Sequence, residues 1–254
     1  MTRPPLALAV LILLLSPALF SVQNAPAGEA EKIVKKMDEL YRSSASEALV
    51  EMEIITPHWQ RTLKMRAWSE GVDKTFIRIL EPKKEAGIAT LRLGNEMWNY
   101  LPKTNKVIKI PPSMMMSSWM GSDFTNDDLV KEFTFIESYR FEMTAPSSPE
   151  LGLAYVKCIP KEGLPIVWGH IIIAADEADY MPAWENFYDE KGSLMREMVF
   201  KEVKAFGRRR IPSVMELTPT TKEGQKTVLR YLEAQFDMAL DPDIFTLRNL
   251  RGGN

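Results

Sequence analysis

A single cysteine, Cys158, leaves this chain without an internal disulfide and without a thiolate framework for zinc. It sits in AYVKCIP, alternating with Ala154 and Val156, and reads as a small buried hydrophobe on one face of a strand. Histidine is nearly as scarce. His58 follows Pro57 in a turn beside Trp59, and His170 lies inside the apolar run IVWGHIII, so each reads as a structural histidine rather than a base or ligand. There is no G-x-S-x-G elbow, no H-E-x-x-H and no glycine-rich phosphate loop. The acidic group Asp123, Asp127 and Asp128 lacks the alternate ligand spacing of a calcium loop. It reads instead as a helix start, with Thr125 or Asn126 as cap and two acids in the first turn. The expectation is a protein with no catalytic residues, cofactor or metal.

A strong charge of either sign is also missing. Lysine and arginine total 32 against 34 acids, a net charge of −2, which disfavours nucleic acid as a partner. The triplet Arg208-Arg209-Arg210 is a local exception and reads as a solvated turn between strands. After the N-terminus no apolar run approaches the roughly 18 residues of a membrane span; Ile166 to Ala175 is too short and contains His170. At the N-terminus itself, Arg3, the run Leu6 to Leu15 and the small-residue stretch ending Ala25-Pro26-Ala27 have the order of a secretory signal peptide. The rival is an uncleaved anchor, against which Pro17 interrupts the run. The expected division is a signal peptide over 1–27 and one domain over 28–254, soluble in the periplasm after cleavage.

Two periodicities run through the rest. Glu31 to Tyr41 places Ile33, Val34, Met37, Leu40 and Tyr41 on one side of a helix of about three turns. Period two then takes over. Val50, Met52 and Ile54 alternate with Glu51 and Glu53, and Leu63, Met65 and Ala67 with Lys64 and Arg66. Phe76–Leu80, Ile88–Leu93, Met97–Leu101 and Val107–Ile110 are short strands separated by turns. The longest alternation, Phe133 to Met143 with Phe135 and Phe141 in the apolar row, predicts one more strand. Asp189–Gly192 and Glu223-Gly224 are hairpin signals, and Asp241-Pro242 starts a short helix. About a dozen antiparallel strands, one long helix and short helices near Asn126 and Pro242 follow. The fold class is mainly β with helices, α+β, in which one strongly curved antiparallel sheet has helices over its concave face.

What the chain does have is methionine on a loop. Between Pro111-Pro112 and Gly121 lie Met114, Met115, Met116, Trp119 and Met120, large apolar side chains with no reactive group beside them. The stretches FIRILEPKKEAGIATL, MWNYLPKTNKVIKIPPS and SWMGSDFTNDDLV, with ENFYDEKGSLMREMVF and DPDIFTLRNL further on, resemble the LolA-like periplasmic carriers, the outer-membrane lipoprotein-sorting proteins. The resemblance covers roughly Leu63 to Leu250. It implies an incomplete barrel with a helical lid over an apolar cavity. It also implies a cavity arginine that holds the lid shut, for which Arg78 and Arg92 are candidates, although each reads more simply as an outward surface charge.

The expected function is a carrier for lipoprotein acyl chains or a related free lipid, moving between an inner-membrane transporter complex and an outer-membrane acceptor with transient membrane contact. The residues expected to meet lipid are Val50, Met52, Ile54, Met65, Trp98, Met114, Met115, Met116, Trp119, Met120, Phe135 and Phe141, with the methionine loop as lid or mouth. An envelope-stress sensor of lipoproteins, an accessory partner of an exporter, and a structural protein with a filled core are the alternatives. A large rigid void would cost about 24 cal/mol per Å3, so the unloaded protein is expected to close over it.

Overall fold

Strand pairing gives the chain its plan. The computed structural model describes residues 27–131, 135–164 and 166–252; the expected signal peptide falls, apart from Ala27, outside them. After helix α1 (Ala27–Tyr41) come β1 (Ala45–Ile55), β2 (Gln60–Glu70), β3 (Lys74–Glu81), β4 (Ala89–Leu93), β5 (Glu96–Leu101) and β6 (Lys106–Lys109). Short helices α2 (Asn126–Lys131) and α3 (Phe135–Ser138) follow. Then come β7 (Tyr139–Thr144), β8 (Leu153–Pro160), β9 (His170–Asp176), β10 (Pro182–Tyr188), β11 (Leu194–Phe206), β12 (Arg209–Pro219) and β13 (Lys226–Phe236). A 3-10 turn at Pro242–Phe245 and helix α4 (Leu247–Leu250) complete the described chain.

The thirteen strands form one antiparallel sheet in the order β6-β5-β4-β3-β2-β1-β13-β12-β11-β10-β9-β8-β7. Two meanders, β1 to β6 and β7 to β13, are joined where β1 pairs with β13. The edges, β6 and β7, do not pair with each other, so the barrel is open. Register shifts at Leu49/Val50, Lys64/Met65, Pro182/Trp184 and Phe187/Tyr188 bend the strands, as bulges do.

The chain leaves the sheet at one edge, β6, and re-enters at the other, β7, so the described residues 110–131 and 135–138 between them run from one side of the sheet to the other. They cross its concave face. On one side of that face Trp119 is buried against Ile54, Leu63, Met65, Ile77 and Ile79. On the other, α1 lays Ala30, Ile33, Val34 and Met37 onto Tyr139, Val156, Cys158, Ile171 and Ile173. The period of 3.6 in α1 and of two in the strands thus meet in one core. On the opposite face the C-terminal segment buries Phe245 and Leu250 against Phe76, Leu91 and Tyr100.

Several expectations change. The alternation from Phe133 to Met143 is not one strand: Phe135–Ser138 is a helical turn and only Tyr139–Thr144 joins the sheet, while Glu132–Thr134 lie outside the described residues. Four alternating residues cannot by themselves be told from one turn of helix. Arg209 is not a solvated turn residue. Its Nη1 donates to the carbonyls of Glu39, Leu40 and Arg42 at the end of α1, and its Nη2 pairs with Asp237 at 2.7 Å. It therefore satisfies carbonyls that a helix end leaves without intrahelical partners. Nor are Arg78 and Arg92 surface charges. Arg78 is half-buried under the C-terminal segment, donating to the Asn249 carbonyl at 2.6 Å and lying over Phe76. Arg92 is 2% exposed, and its Nε donates to the Gly94 carbonyl at 3.0 Å.

Candidate functional site

Between α1 and the crossing segment the concave face is left partly unfilled, as a cavity of about 280 Å3 that is partly open to solvent. The central strands floor it with Met198 and Phe200, Met215 and Leu217, Leu229 and Tyr231, each pair two residues apart on its strand. Val50, Met52 and Met65 continue the floor, Val34, Met37 and Tyr41 of α1 close one side, and Trp119, Phe124 and Leu129 close the other. The walls are mainly apolar. Burial pushes up both the Tyr139 phenol and the Cys158 thiol, so these groups stay neutral in the core beside the cavity.

One strong polar contact is built into this wall. Arg196 stands on β11 in the same inward row as Met198 and Phe200. Its guanidinium packs on both the Trp168 and Phe187 rings, 4.5 and 4.1 Å from their centroids. Nη1 and Nη2 donate to the two carboxylate oxygens of Asp128 on α2, at 2.8 and 2.7 Å. Asp128 also accepts from the Thr125 amide at 2.7 Å and hydroxyl at 2.9 Å, while its own amide donates back to Thr125 Oγ1 at 3.1 Å. Thr125 is therefore the cap of α2, in a reciprocal box with Asp128. Burial alone would raise the Asp128 pKa, but the Arg196 charge and these hydrogen bonds hold its carboxyl below the usual range. The result is a latch between the crossing segment and the far half of the sheet.

The rest of the crossing segment is fastened to β2, β4 and the start of β13. Trp119 Nε1 donates to Thr90 Oγ1 at 3.1 Å, and Arg61 donates to the Met120 carbonyl. Asp123 accepts from Thr227 Oγ1 at 2.8 Å and from Gln225 Nε2 at 2.6 Å. Met120 and Gly121 both have positive φ, and a Cβ on Gly121 would stand 3.2 Å from Arg61 Nη2, so the turn requires glycine there. The methionine loop is thus pinned at Trp119, which is 2% exposed, while Met114 and Met116 stay exposed as a surface loop would have them.

The expected lipid-contact residues divide accordingly. Val50, Met52, Met65 and Trp119 line the cavity. Ile54 is fully buried in the adjoining core, and Met120 is partly buried against it. Met115 packs with Met97 and Ile110, whereas Met114 and Met116 are 47% and 41% exposed beside it. Phe141 packs into the cluster under α1. Trp98 is on the opposite face, in the cluster that the C-terminal segment covers, with the Lys109 ammonium over its ring. The side chain of Phe135 lies outside the described residues. Sequence reasoning missed Arg196, Trp168 and the floor from β11 to β13. The signal was present for the floor and for Arg196, which period two places in the row of Met198 and Phe200.

Among the described residues no three His, Cys, Asp or Glu are placed to hold a metal ion, and no helix is long and apolar enough to cross a membrane. No curated protein matches the chain. Solved structures do. A DUF1329 family protein from Desulfovibrio piger superposes with a TM-score of 0.80 at 20% identity, over 89% of this chain and 99% of that one. An outer membrane lipoprotein-sorting protein domain from Vibrio parahaemolyticus does so at 0.76 and 24%, over 89% and 99%. A LolA superfamily protein from Nitrosomonas europaea follows at 0.73 and 19%, over 87% and 98%. A family model described as "Uncharacterized protein" matches residues 71–252. The open antiparallel sheet with its few helices is thus the LolA-like fold of these structures, and the chain belongs to the family of that model.

Proposed function

We propose that the protein is a non-enzymatic periplasmic carrier that shields acyl chains, of lipoproteins or of a related lipid, on the way to the outer membrane. In this reading residues 1–27 are removed on export and residues 28–254 act as one carrier domain. Delivery would take a membrane transporter on one side and an outer-membrane acceptor on the other. The observation that carries the proposal is the apolar cavity of about 280 Å3 on the concave face, roofed by a segment whose far end is held by one ion pair.

Magnitudes support a lid that yields to cargo. The cavity of about 280 Å3 is partly open to solvent and walled mainly by apolar side chains, so cargo that fills it withdraws those walls from water. Each acyl methylene withdrawn from water contributes roughly 0.8 kcal/mol, so about ten contribute some 8 kcal/mol before binding costs. Breaking a buried ion pair costs about 3–5 kcal/mol. The gain exceeds the cost of releasing Arg196 from Asp128. The cavity is also smaller than the roughly 300–1,000 Å3 of ligand pockets, so a full chain must move a wall. The six-residue α2, tied to the sheet by the Arg196–Asp128 pair, is the wall assigned to move.

The test is to purify the protein gently from cells and identify bound molecules by native mass spectrometry. A stoichiometric acylated species supports the carrier. Protein that holds no lipid and also fails to take up fluorescent acyl probes refutes it.

A further inference from the structure

The Arg196–Asp128 pair is unequal in a way that points to a ligand. When α2 swings away, Asp128 keeps the amide and the hydroxyl of Thr125 as partners. Arg196 loses both of its bonds to the Asp128 carboxylate. It is 7% exposed, it lines the apolar cavity against two aromatic rings, and its buried Nε already has no hydrogen-bond partner. A guanidinium packed on aromatic faces is weakly hydrated and presents a flat fork that fits two coplanar oxygens. Opening the lid therefore leaves a desolvated cation at the wall of a cavity that accepts hydrocarbon, and such a group demands an anion.

We propose that Arg196 is the seat for the head of an amphiphile ending in a single carboxylate, and that Asp128 occupies this seat in the closed protein as an internal stand-in. The assignment rests on the carrier reading of the cavity. It adds which polar end the cavity prefers. The charge of the surroundings narrows the class. Asp127 and Glu185 line the same cavity, so a dianionic phosphate head meets more repulsion than a carboxylate does. A carboxylate also reproduces the geometry of Asp128, with two oxygens at 2.7 and 2.8 Å from Nη2 and Nη1. Closure and head binding then exclude each other: cargo with the right head opens α2 by exchange, and its departure lets Asp128 return.

The experiment is calorimetric titration of the intact mature protein with laurate, dodecyl phosphate, dodecanol and butyrate. Laurate is expected to bind about tenfold more tightly than dodecanol, the scale of one charge-assisted hydrogen bond. Dodecyl phosphate should fall below laurate, and butyrate, an anion without a chain, should not bind. Asp128→Ala, which empties the seat, should widen the laurate preference, and Arg196→Gln should abolish it. The wild-type ratio requires no variant, so a variant that fails to fold does not remove the test. Equal binding of laurate and dodecanol by the wild type overturns the seat while leaving the carrier standing. So does a laurate preference that survives Arg196→Gln. Failure of every long-chain ligand to bind overturns both.

Discussion

Trp119 donates its indole N–H to the hydroxyl of Thr90 at 3.1 Å, 29 residues earlier in the chain, and the bond is buried. It fixes the near end of the crossing segment to β4 and makes Trp119 part of the cavity wall. Thr90→Val keeps the shape and leaves the indole N–H unpaired. The expected loss is about 1–3 kcal/mol of unfolding free energy, read by urea denaturation, with the unfolding slope unchanged.

The latch predicts a non-additive pair. Asp128→Ala should destabilise by about 3–5 kcal/mol, because it leaves the buried Arg196 without its carboxylate, and Arg196→Met by less, because Asp128 keeps its bonds from Thr125. The double variant should be less destabilised than the two losses added together. A double-mutant cycle by urea denaturation measures the difference; strict additivity would show that the 2.7 and 2.8 Å bonds carry no coupling.

Acid should open the latch. The Asp128 carboxyl is held below its ordinary value by Arg196 and Thr125, against the effect of burial. A group whose folded pKa is depressed adds stability that is complete above its unfolded pKa, about 3.9, and is lost as pH falls through the folded value. The stability difference between wild type and Asp128→Asn should therefore be constant above about pH 4 and shrink below it. The check is a series of denaturation midpoints for the two proteins across that range.

Arg209 should govern the end of α1. Its fork reaches three carbonyls and Asp237 together, which a lysine point charge cannot copy. Arg209→Ala and Arg209→Lys should both speed amide exchange in the last turn of α1, while β4 and β5 stay protected. A change of about 1–3 kcal/mol is expected from the lost charge-assisted bonds.

Most of the architecture could be read from residue patterns because strand alternation and hairpin turns are local. Val50, Met52 and Ile54 against Glu51 and Glu53, or Asp189–Gly192 between two strands, need no knowledge of distant residues. The latch is different. Arg196 and Asp128 are 68 residues apart, and Arg209 reaches carbonyls about 170 residues away. Nothing local marks such cations as buried; only the sheet order brings β11 under α2 and β12 beside α1. Within the methionine loop the burial of Trp119 is hidden in the same way. Pro111, Pro112 and Gly121 signal the loop, whose Met114 and Met116 are exposed, but Trp119 is anchored by Thr90, which only topology places beneath it. The lid itself follows from β6 and β7 being opposite edges, a relation invisible until the strands are ordered.

Chain length should show a threshold. Roughly four methylenes contribute about 3 kcal/mol, no more than the cost of breaking the latch, about 3–5 kcal/mol, whereas about ten exceed it. A homologous series of acyl probes should bind weakly or not at all at the short end and tightly beyond it. Asp128→Ala should move the threshold to shorter chains.

The most direct measurement of the central claim uses the cavity's own tryptophans. Trp68, Trp119 and Trp168 line it, whereas Trp59, Trp98 and Trp184 do not. A dodecanoyl chain brominated near its methyl end quenches an indole that it touches. Bound in the cavity, it should quench emission relative to the unbrominated chain, and Trp119→Phe should remove part of that quenching. If brominated and unbrominated chains leave the emission identical, no hydrocarbon lies against the concave face, and the carrier account is wrong.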